Sequence, residues 1–453
     1  MEYETVFVLT YAALFVALLL TGFPIAYVLA GTAMLFAVLG TVLDWLGIWI
    51  VDVEVGYIGL TVSRVFGLMS NFSLVAVPMF VYMGAILDSS GIGEDLLGVA
   101  NRLLRRVPGG LAIAVVAVGT VLAASTGIAA ASILMLGAIA IPTLLRKGYH
   151  GGLSAGTVCV AGGLGSIIPP SIMLVIMADQ MAVSVGDLFV GSLIPGLFLA
   201  GLYTLFLLLT GLVRPQLVPT EGRRDDMREP PLTAGEVLRG FGAPMSLIFV
   251  VLGSIFMGVA SPTEAGGMGA FGALVLSFLK GRLSMETLRQ ANRQTARTTS
   301  VIFAILIGAT CFSLLMRGFG GDDVIQSAVL TVSDEAAYIV LFILMVVFLL
   351  GFLLDWIEIS LILLPLSLPI VTMLDINPVW FTVLVAMTLQ TSFITPPVGF
   401  SLFYVRDVVP PSVTTLQIYR GIVPYVFIQL LAIAVVFLFP TLVTGLPALI
   451  YGR

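Results

Sequence analysis

Two sets of residues in this chain have types and spacing suited to holding a cation. Ser125, Thr126 and Gly127 precede the run Gly162-Gly-Leu-Gly-Ser-Ile-Ile-Pro-Pro-Ser171; Gly351 to Asp355 precede Thr391-Ser-Phe-Ile-Thr-Pro-Pro-Val-Gly399. Both sets are short of formal charge and rich in hydroxyls, glycines and prolines. A proline has no N–H and clashes with the preceding turn, so a Pro-Pro pair breaks an apolar helix and frees the carbonyls around it. Freed carbonyls and hydroxyl oxygens suit sodium, while the N–H groups at half-helix N-termini suit anions. The candidate ligands of the first set are Ser125, Thr126, Gly127, Gly163, Gly165, Pro169, Pro170 and Ser171. Those of the second are Gly351, Asp355, Thr391, Ser392, Thr395, Pro396 and Pro397.

The two sets are copies. One offset of 227 residues carries Pro142 onto Pro369 and Pro169-Pro170 onto Pro396-Pro397, and it also carries Gly91, Gly93 and Asp95 onto Gly318, Gly320 and Asp322. That is an internal repeat. A single broken segment reads most simply as a kink made for packing. Duplication in register, each copy beside a tip of small and polar residues, favours a solute site.

The other polar residues are weaker candidates. Asp355 and Glu358 lie in an apolar run where an ionised carboxylate is costly, so they neutralise an ion, relay a proton or face an aqueous cavity. The first copy has Ile128 and Ala131 at those positions. Asp179, just past the first break, reads as a solvated helix end. His150 is the only histidine and sits in a basic turn beside Arg146 and Lys147, so chemistry that needs two histidines is excluded. Cys159 and Cys311 lie in apolar runs and read as packing residues. Gly318 to Asp322 faintly resembles a glycine-aspartate protease motif, but its twin at Gly91 to Asp95 makes a turn the better reading. No P-loop pattern is present. Neither an enzyme nor a cofactor is expected, and no nucleic-acid partner.

The elements that must position these residues are membrane helices. Hydrophobic residues make up 59% of the 453 and charged residues 10%, with mean hydropathy +1.14. Apolar runs of roughly twenty residues, enough to cross a bilayer core, recur throughout. The expected fold is an all-α polytopic membrane protein, its crossings near 5–21, 23–39, 71–88, 151–182, 187–213, 241–259, 261–279, 297–316, 378–406 and 418–443. Two runs, 109–147 and 336–374, have small or polar centres and read as re-entrant hairpins. With both hairpins entering and leaving on one face, 17 of the 20 basic residues fall on a single side, which the positive-inside rule makes cytoplasmic. Both termini then lie outside. Five crossings separate the copies, an odd number, so the units 1–213 and 241–453 form an inverted repeat joined by a cytoplasmic linker, 214–240. The stretches 56–70 and 284–296 read equally as lateral arms bracing a moving domain or as plain interfacial connectors. The N-terminus lacks the basic region of a cleavable signal, so the first apolar segment is expected to stay as a helix.

At this point the residues resemble a known family. The run Gly148 to Ser171, followed by Val185-Gly-Asp-Leu-Phe189 and Ile194-Pro-Gly196, is similar to the large membrane subunit of tripartite ATP-independent periplasmic (TRAP) transporters. Gly351 to Glu358 and Leu389 to Gly399 are similar to it in the second copy, and the likeness extends over essentially the whole chain. It departs at the first tip, where Ser125-Thr-Gly-Ile-Ala129 carries fewer hydroxyls than the Ser-Gly-Ser-Ser of many members. The resemblance implies a bacterial inner-membrane subunit that imports an organic acid with sodium by elevator movement. It also implies two partners: a small four-helix membrane subunit, expected as a separate chain, and an extracytoplasmic substrate-binding protein. A self-sufficient ion-coupled carboxylate transporter and a non-transporting membrane scaffold are the alternatives.

Overall fold

A computed structural model describes residues 2–47, 55–126, 129–219, 233–331, 333 and 335–452. The regular elements among those residues are all helices, with no strand. Among the described residues, seven helices are long and apolar enough to cross a membrane. Five of them, Ile25–Trp45, Phe72–Ser89, Val185–Val213, Met285–Gly318 and Thr415–Leu438, match expected crossings; Ala129–Arg146 and Trp356–Met373 are arms of the expected hairpins. The broken helices fall short of that length because the Pro-Pro pairs interrupt them.

The interruptions lie where the prolines require. The first broken helix runs as Gly151–Gly163, a 3-10 turn Leu164–Ser166 and Ile172–Gln180; the second runs as Pro378–Ile394 and Phe400–Val408. The peptide bond between the prolines is cis in both. The first hairpin has arms Gly110–Thr126 and Ala129–Arg146, and the second has arms Ala336–Leu350 and Trp356–Met373, which are joined by 351–355.

Packing sorts the helices into two groups. In one, Ala76–Ser89 packs along Pro262–Leu279, and Met285–Gly318 packs along both Ile25–Trp45 and Ala76–Ser89. Small residues permit the close approaches: Gly269 has no room for a Cβ beside Met83, nor has Gly308 beside the Ala26 carbonyl. In the other group, Gly151–Gly163 is embraced by both arms of the first hairpin and by Thr415–Leu438. Gly152 and Gly421 meet backbone to backbone there, and the Thr157 hydroxyl pairs with the Tyr425 hydroxyl at 2.7 Å. Fewer helices bridge the groups, chiefly Met285–Gly318 against Trp356–Met373 and Ala76–Ser89 against Gly110–Thr126.

Several elements depart from expectation. The second arm is not a separate element: Ser284 caps a continuous helix Met285–Gly318, because neither proline nor glycine intervenes before Gly308. The first arm, Val55–Met69, does end, and Asn71 caps the 3-10 turn Phe72–Val75 that follows it by accepting from Ser73 N–H at 3.0 Å. Two further helices, Ile92–Leu104 and Gly321–Leu330, start from left-handed glycines, Gly91 at φ 63° and Gly320 at φ 77°. The expected turns exist, but the structure pairs Gly91 with Gly320, two residues off the offset that relates the prolines. The linker region includes the short helix Ala234–Val237, while 220–232 lies outside the described residues. A last helix, Thr441–Tyr451, packs on Val185–Val213.

Candidate functional site

Two members of the second candidate set, Gly351 and Ser392, are brought together from different elements. Gly351, where the second hairpin turns, lies directly on Ser392, so close that a Cβ on the glycine would overlap the serine hydroxyl. Three hydroxyls line the end of the first half of the broken helix. Thr391 Oγ1 donates to Met387 O at 2.8 Å, Ser392 Oγ to Leu389 O at 2.8 Å and Thr395 Oγ1 to Thr391 O at 2.6 Å. Each hydroxyl hydrogen is thus engaged within its own helix, and each oxygen keeps lone pairs for an acceptor role. Asp355 caps the second arm, its Oδ1 accepting from Trp356 N–H at 2.8 Å, which leaves Oδ2 to face elsewhere. Pro396 is part-buried and Pro397 exposed, the latter's carbonyl accepting from the Tyr419 hydroxyl at 3.0 Å.

The first set is partly described. Ser125 and Thr126 close the arm Gly110–Thr126, and Gly127 lies outside the described residues. At the break, Gly163, Gly165, Pro169, Pro170 and Ser171 are all buried, unlike their solvent-accessible counterparts at Pro397 and Val398. Ser171 Oγ reaches back across the Pro-Pro pair to donate to Ser166 O at 2.9 Å, and Ser166 Oγ donates to Gly163 O at 2.8 Å. The first hairpin packs on this segment: Gly162 leaves no room beside the Ile133 backbone, nor Gly119 beside the Ala161 carbonyl.

The two breaks also meet each other, as halves of an inverted repeat are expected to, through a residue not singled out in the sequence. Gln390, 1% exposed, lies against Gly163; a Cβ there would stand 3.2 Å from its Nε2. Neither amide atom of Gln390 has a hydrogen-bond partner among the described residues, and the same holds for Oε2 of the buried Glu358. A lone glutamine in an apolar helix gives no periodic signal; its position next to Thr391 was the available clue.

Asp179 is not a solvated helix end. Its Oδ1 accepts from Asn71 Nδ2 at 2.5 Å and its Oδ2 from Gln180 Nε2 at 2.9 Å, so it ties the end of the first broken helix to the cap after the first arm. His150, as expected, lies in a turn at the start of Gly151–Gly163, and its backbone N–H donates to Leu217 O at 3.0 Å. Cys159 is buried and donates to Ser401 O at 3.5 Å, a packing role. No cluster of three or more histidine, cysteine or acidic groups that could hold a metal occurs among the described residues. The arrangement can therefore present hydroxyl, carbonyl and amide oxygens, together with one carboxylate, to a weakly bound cation.

Known proteins share the fold and the family of this chain. The solved structure of the Alcanivorax borkumensis YdaH transporter shares the fold, with TM-score 0.68 over 94% of this chain and 97% of that chain at 12% identity. The C4-dicarboxylate TRAP transporter large permease protein DctM of Pseudomonas aeruginosa is 30% identical over 387 residues, which cover 85% of this chain and 88% of that protein. The sialic acid TRAP transporter large permease protein SiaM of Vibrio cholerae is 26% identical across 91% of this chain and 99% of its own length. The 2,3-diketo-L-gulonate TRAP transporter large permease protein YiaN of Escherichia coli is 27% identical across 92% and 93%. These relatives are permeases, not enzymes. Residues 12–442 match the family described as "Tripartite ATP-independent periplasmic transporter, DctM component", and the chain therefore belongs to that family.

Proposed function

We propose that this chain is the large membrane subunit of a sodium-coupled secondary transporter that imports an organic acid across the bacterial inner membrane. A substrate-binding protein delivers the acid from outside, and a small four-helix membrane subunit completes the complex. The carrying observation is the seating of the second tip on the second break, Gly351 on Ser392, beside the oxygens of Thr391 and Thr395. Oxygen ligands without an excess of fixed charge suit sodium, which must bind and leave in each cycle. At about 100 mV each elementary charge entering contributes roughly 2.3 kcal/mol, so net inward cation movement can drive accumulation.

The proposed topology has units 1–213 and 241–453 in opposite orientation, with re-entrant hairpins near 109–147 and 336–374, broken helices near 151–182 and 378–406, and linker 214–240 inside. Both termini are extracytoplasmic. The hairpins and broken helices, packed as one group on Val185–Val213 and Thr415–Leu438, move as an elevator against the other helix group; the sparser packing between the groups supports that division.

The experiment is reconstitution of the chain with its partners in proteoliposomes and measurement of organic-acid uptake with and without an inward sodium gradient. Uptake that depends on the gradient and on the binding protein is expected. Uptake indifferent to sodium would remove the coupling mechanism, and uptake without any binding protein would favour a self-sufficient carrier.

A further inference from the structure

Three helix ends converge on one groove. His150 immediately precedes Gly151–Gly163, Arg214 follows Val185–Val213, and Arg420 lies in the second turn of Thr415–Leu438. All three line a groove of about 460 Å³. Its body is apolar: Phe206, Leu209 and Val213 are spaced i, i+3, i+7 and so share one face of their helix, and Leu153 and Pro424 come from the other two helices. At 1.5 Å per residue that face runs about 12 Å from Arg214 to Phe206, a reach into the hydrocarbon that suits part of an acyl chain. Leu209 is 50% exposed and Val213 75%, so the groove opens to the bilayer side of the bundle. The rim is held in place by backbone contacts. His150 N–H donates to Leu217 O and Leu217 N–H to Arg214 O, both at 3.0 Å, while Gly152 meets Gly421 without room for a Cβ.

The charge at the rim is unanswered. Neither Arg214 nor Arg420 makes a side-chain hydrogen bond or ion pair among the described residues, whereas Lys280 and Arg282 are both engaged by Asp95. No carboxylate lines the groove among the described residues. A single arginine at a membrane interface needs no site, because water and passing headgroups satisfy it. Two guanidiniums at the mouth of an apolar slot differ, because one amphiphile satisfies both features at once. Its phosphodiester accepts from the donor forks, and its chain covers the apolar wall. The lack of a carboxylate also selects the head: the ammonium of a zwitterionic lipid finds no acceptor of opposite charge, and a net-anionic head needs none. In the proposed topology this rim lies at the cytoplasmic face, where the leaflet carries negative charge and basic pockets between helices hold such heads.

We propose that this groove holds one anionic phospholipid, its phosphodiester on Arg214 and Arg420 and an acyl chain along Leu209 and Val213. The site is independent of what the chain transports. Dioleoyl phosphatidylglycerol, dioleoyl phosphatidylethanolamine and inorganic phosphate are titrated separately against the membrane complex in detergent, and bound lipid is read by native mass spectrometry. Phosphatidylglycerol is expected to bind at least tenfold more tightly than phosphatidylethanolamine. Arg214→Gln and Arg420→Gln, both changes at exposed residues, are each expected to raise its Kd roughly 10- to 100-fold, as the loss of one charge-assisted hydrogen-bonded contact does. Arg420→Lys should recover part of that loss. Leu209→Trp, which fills the slot without changing charge, is expected to weaken binding through the chain instead of the head, so a variant that fails to fold leaves others to decide. Arg289→Gln removes the same charge from another exposed position and should change nothing. Equal binding of the two lipids, or an unchanged Kd in both arginine variants, overturns the assignment. Equal weakening by Arg289→Gln would show diffuse surface attraction and overturn it as well. Displacement of phosphatidylglycerol by millimolar inorganic phosphate, with Leu209→Trp without effect, would make this a free-anion site and also overturn it.

Discussion

Gly351 rests on Ser392 with no space for a Cβ between them, so the second tip and the second break share one surface. A methyl group there must displace either the tip or the serine, which also carries the bond to Leu389 O. Overpacking of this kind costs about 1–3 kcal/mol. Gly351→Ala is expected to express and insert but to lose most sodium-stimulated uptake, whereas alanine at Gly201, where no atom lies within reach of a Cβ, leaves uptake unchanged. Equal uptake by the two variants, measured at matched expression, would show that the contact has no part in coupling.

The threonines provide a sharper test of ligand roles. Thr395→Val keeps the shape of the side chain and removes the oxygen that donates to Thr391 O. Losing one oxygen ligand, worth about 1 kcal/mol, shifts an equilibrium constant roughly fivefold. The sodium concentration for half-maximal uptake is expected to rise by about that factor in Thr395→Val and in Thr391→Val, and to return in Thr395→Ser. Ser125→Ala tests the first tip in the same assay. Unchanged sodium activation in all of these variants would remove the hydroxyls from the site.

What the sequence made legible follows from how local its causes are. Pro-Pro pairs break a helix wherever they fall, so both interruptions and both hairpins were placed within a few residues from proline, glycine and apolar length alone. Contacts between distant segments left no such mark. Asn71 and Asp179 are 108 residues apart, and nothing in either neighbourhood specifies the other. The fusion of the second arm with its crossing depended on the absence of a breaker before Gly308, a weaker signal than a breaker's presence. The helix Ile92–Leu104 was missed although its cues were local: a left-handed glycine before it, Glu94 and Asp95 in its first turn and Arg102 in its last.

The Asn71–Asp179 bond joins the cap after the first arm to the end of the first broken helix, so it spans the boundary across which the elevator is proposed to slide. Asn71 serves two roles, since its Oδ1 also accepts from Ser73 N–H. Asp179→Ala removes the cross-boundary bond and the local one from Gln180, and leaves the Asn71 cap on Ser73 intact. It is expected to shift the balance of conformations, read as altered accessibility of a cysteine introduced at Ser313, while thermal stability changes by no more than about 1 kcal/mol. Unaltered accessibility would mean that the bond does not hold the two groups in register.

Outside the crossings, Lys280 and Arg282 grip Asp95 at 2.8 and 3.0 Å, and Arg282 Nη1 also binds the Ser90 and Gly91 carbonyls at 2.9 Å each. Burial opposes ionisation of Asp95, but the hydrogen bonds and charges of Lys280 and Arg282 outweigh it and hold the carboxyl below its ordinary range. A depressed folded-state pKa contributes stability that is complete above the unfolded value, roughly 3.9, and is lost as pH falls through the folded one. The site is substantially exposed, so screening limits the gain to about 1 kcal/mol or less. The melting temperature is expected to hold between pH 7 and 5 and to decline below about pH 4. Asp95→Asn should lower it at pH 7 and flatten that decline; a variant with the wild-type profile would show that the cluster does not stabilise the fold.

Gln390 makes the last distinction, between an ion-holding group and a buried defect. Its amide is 1% exposed, lies against Gly163 and has no partner for either polar atom among the described residues. Burying an amide unpaired costs about 1–3 kcal/mol. If that amide were only a defect, the near-isosteric Gln390→Met would remove the penalty, raise thermal stability and leave uptake untouched. If the oxygen instead joins carbonyls of the first break in holding a cation, the same variant weakens sodium activation, and sodium stops raising the melting temperature as it does by mass action in the wild type. The second outcome is expected, because Gln390 adjoins Thr391 on one side and Gly163 on the other and so couples the two breaks through one side chain. A stabilised variant with full sodium-driven uptake would assign Gln390 to neither site.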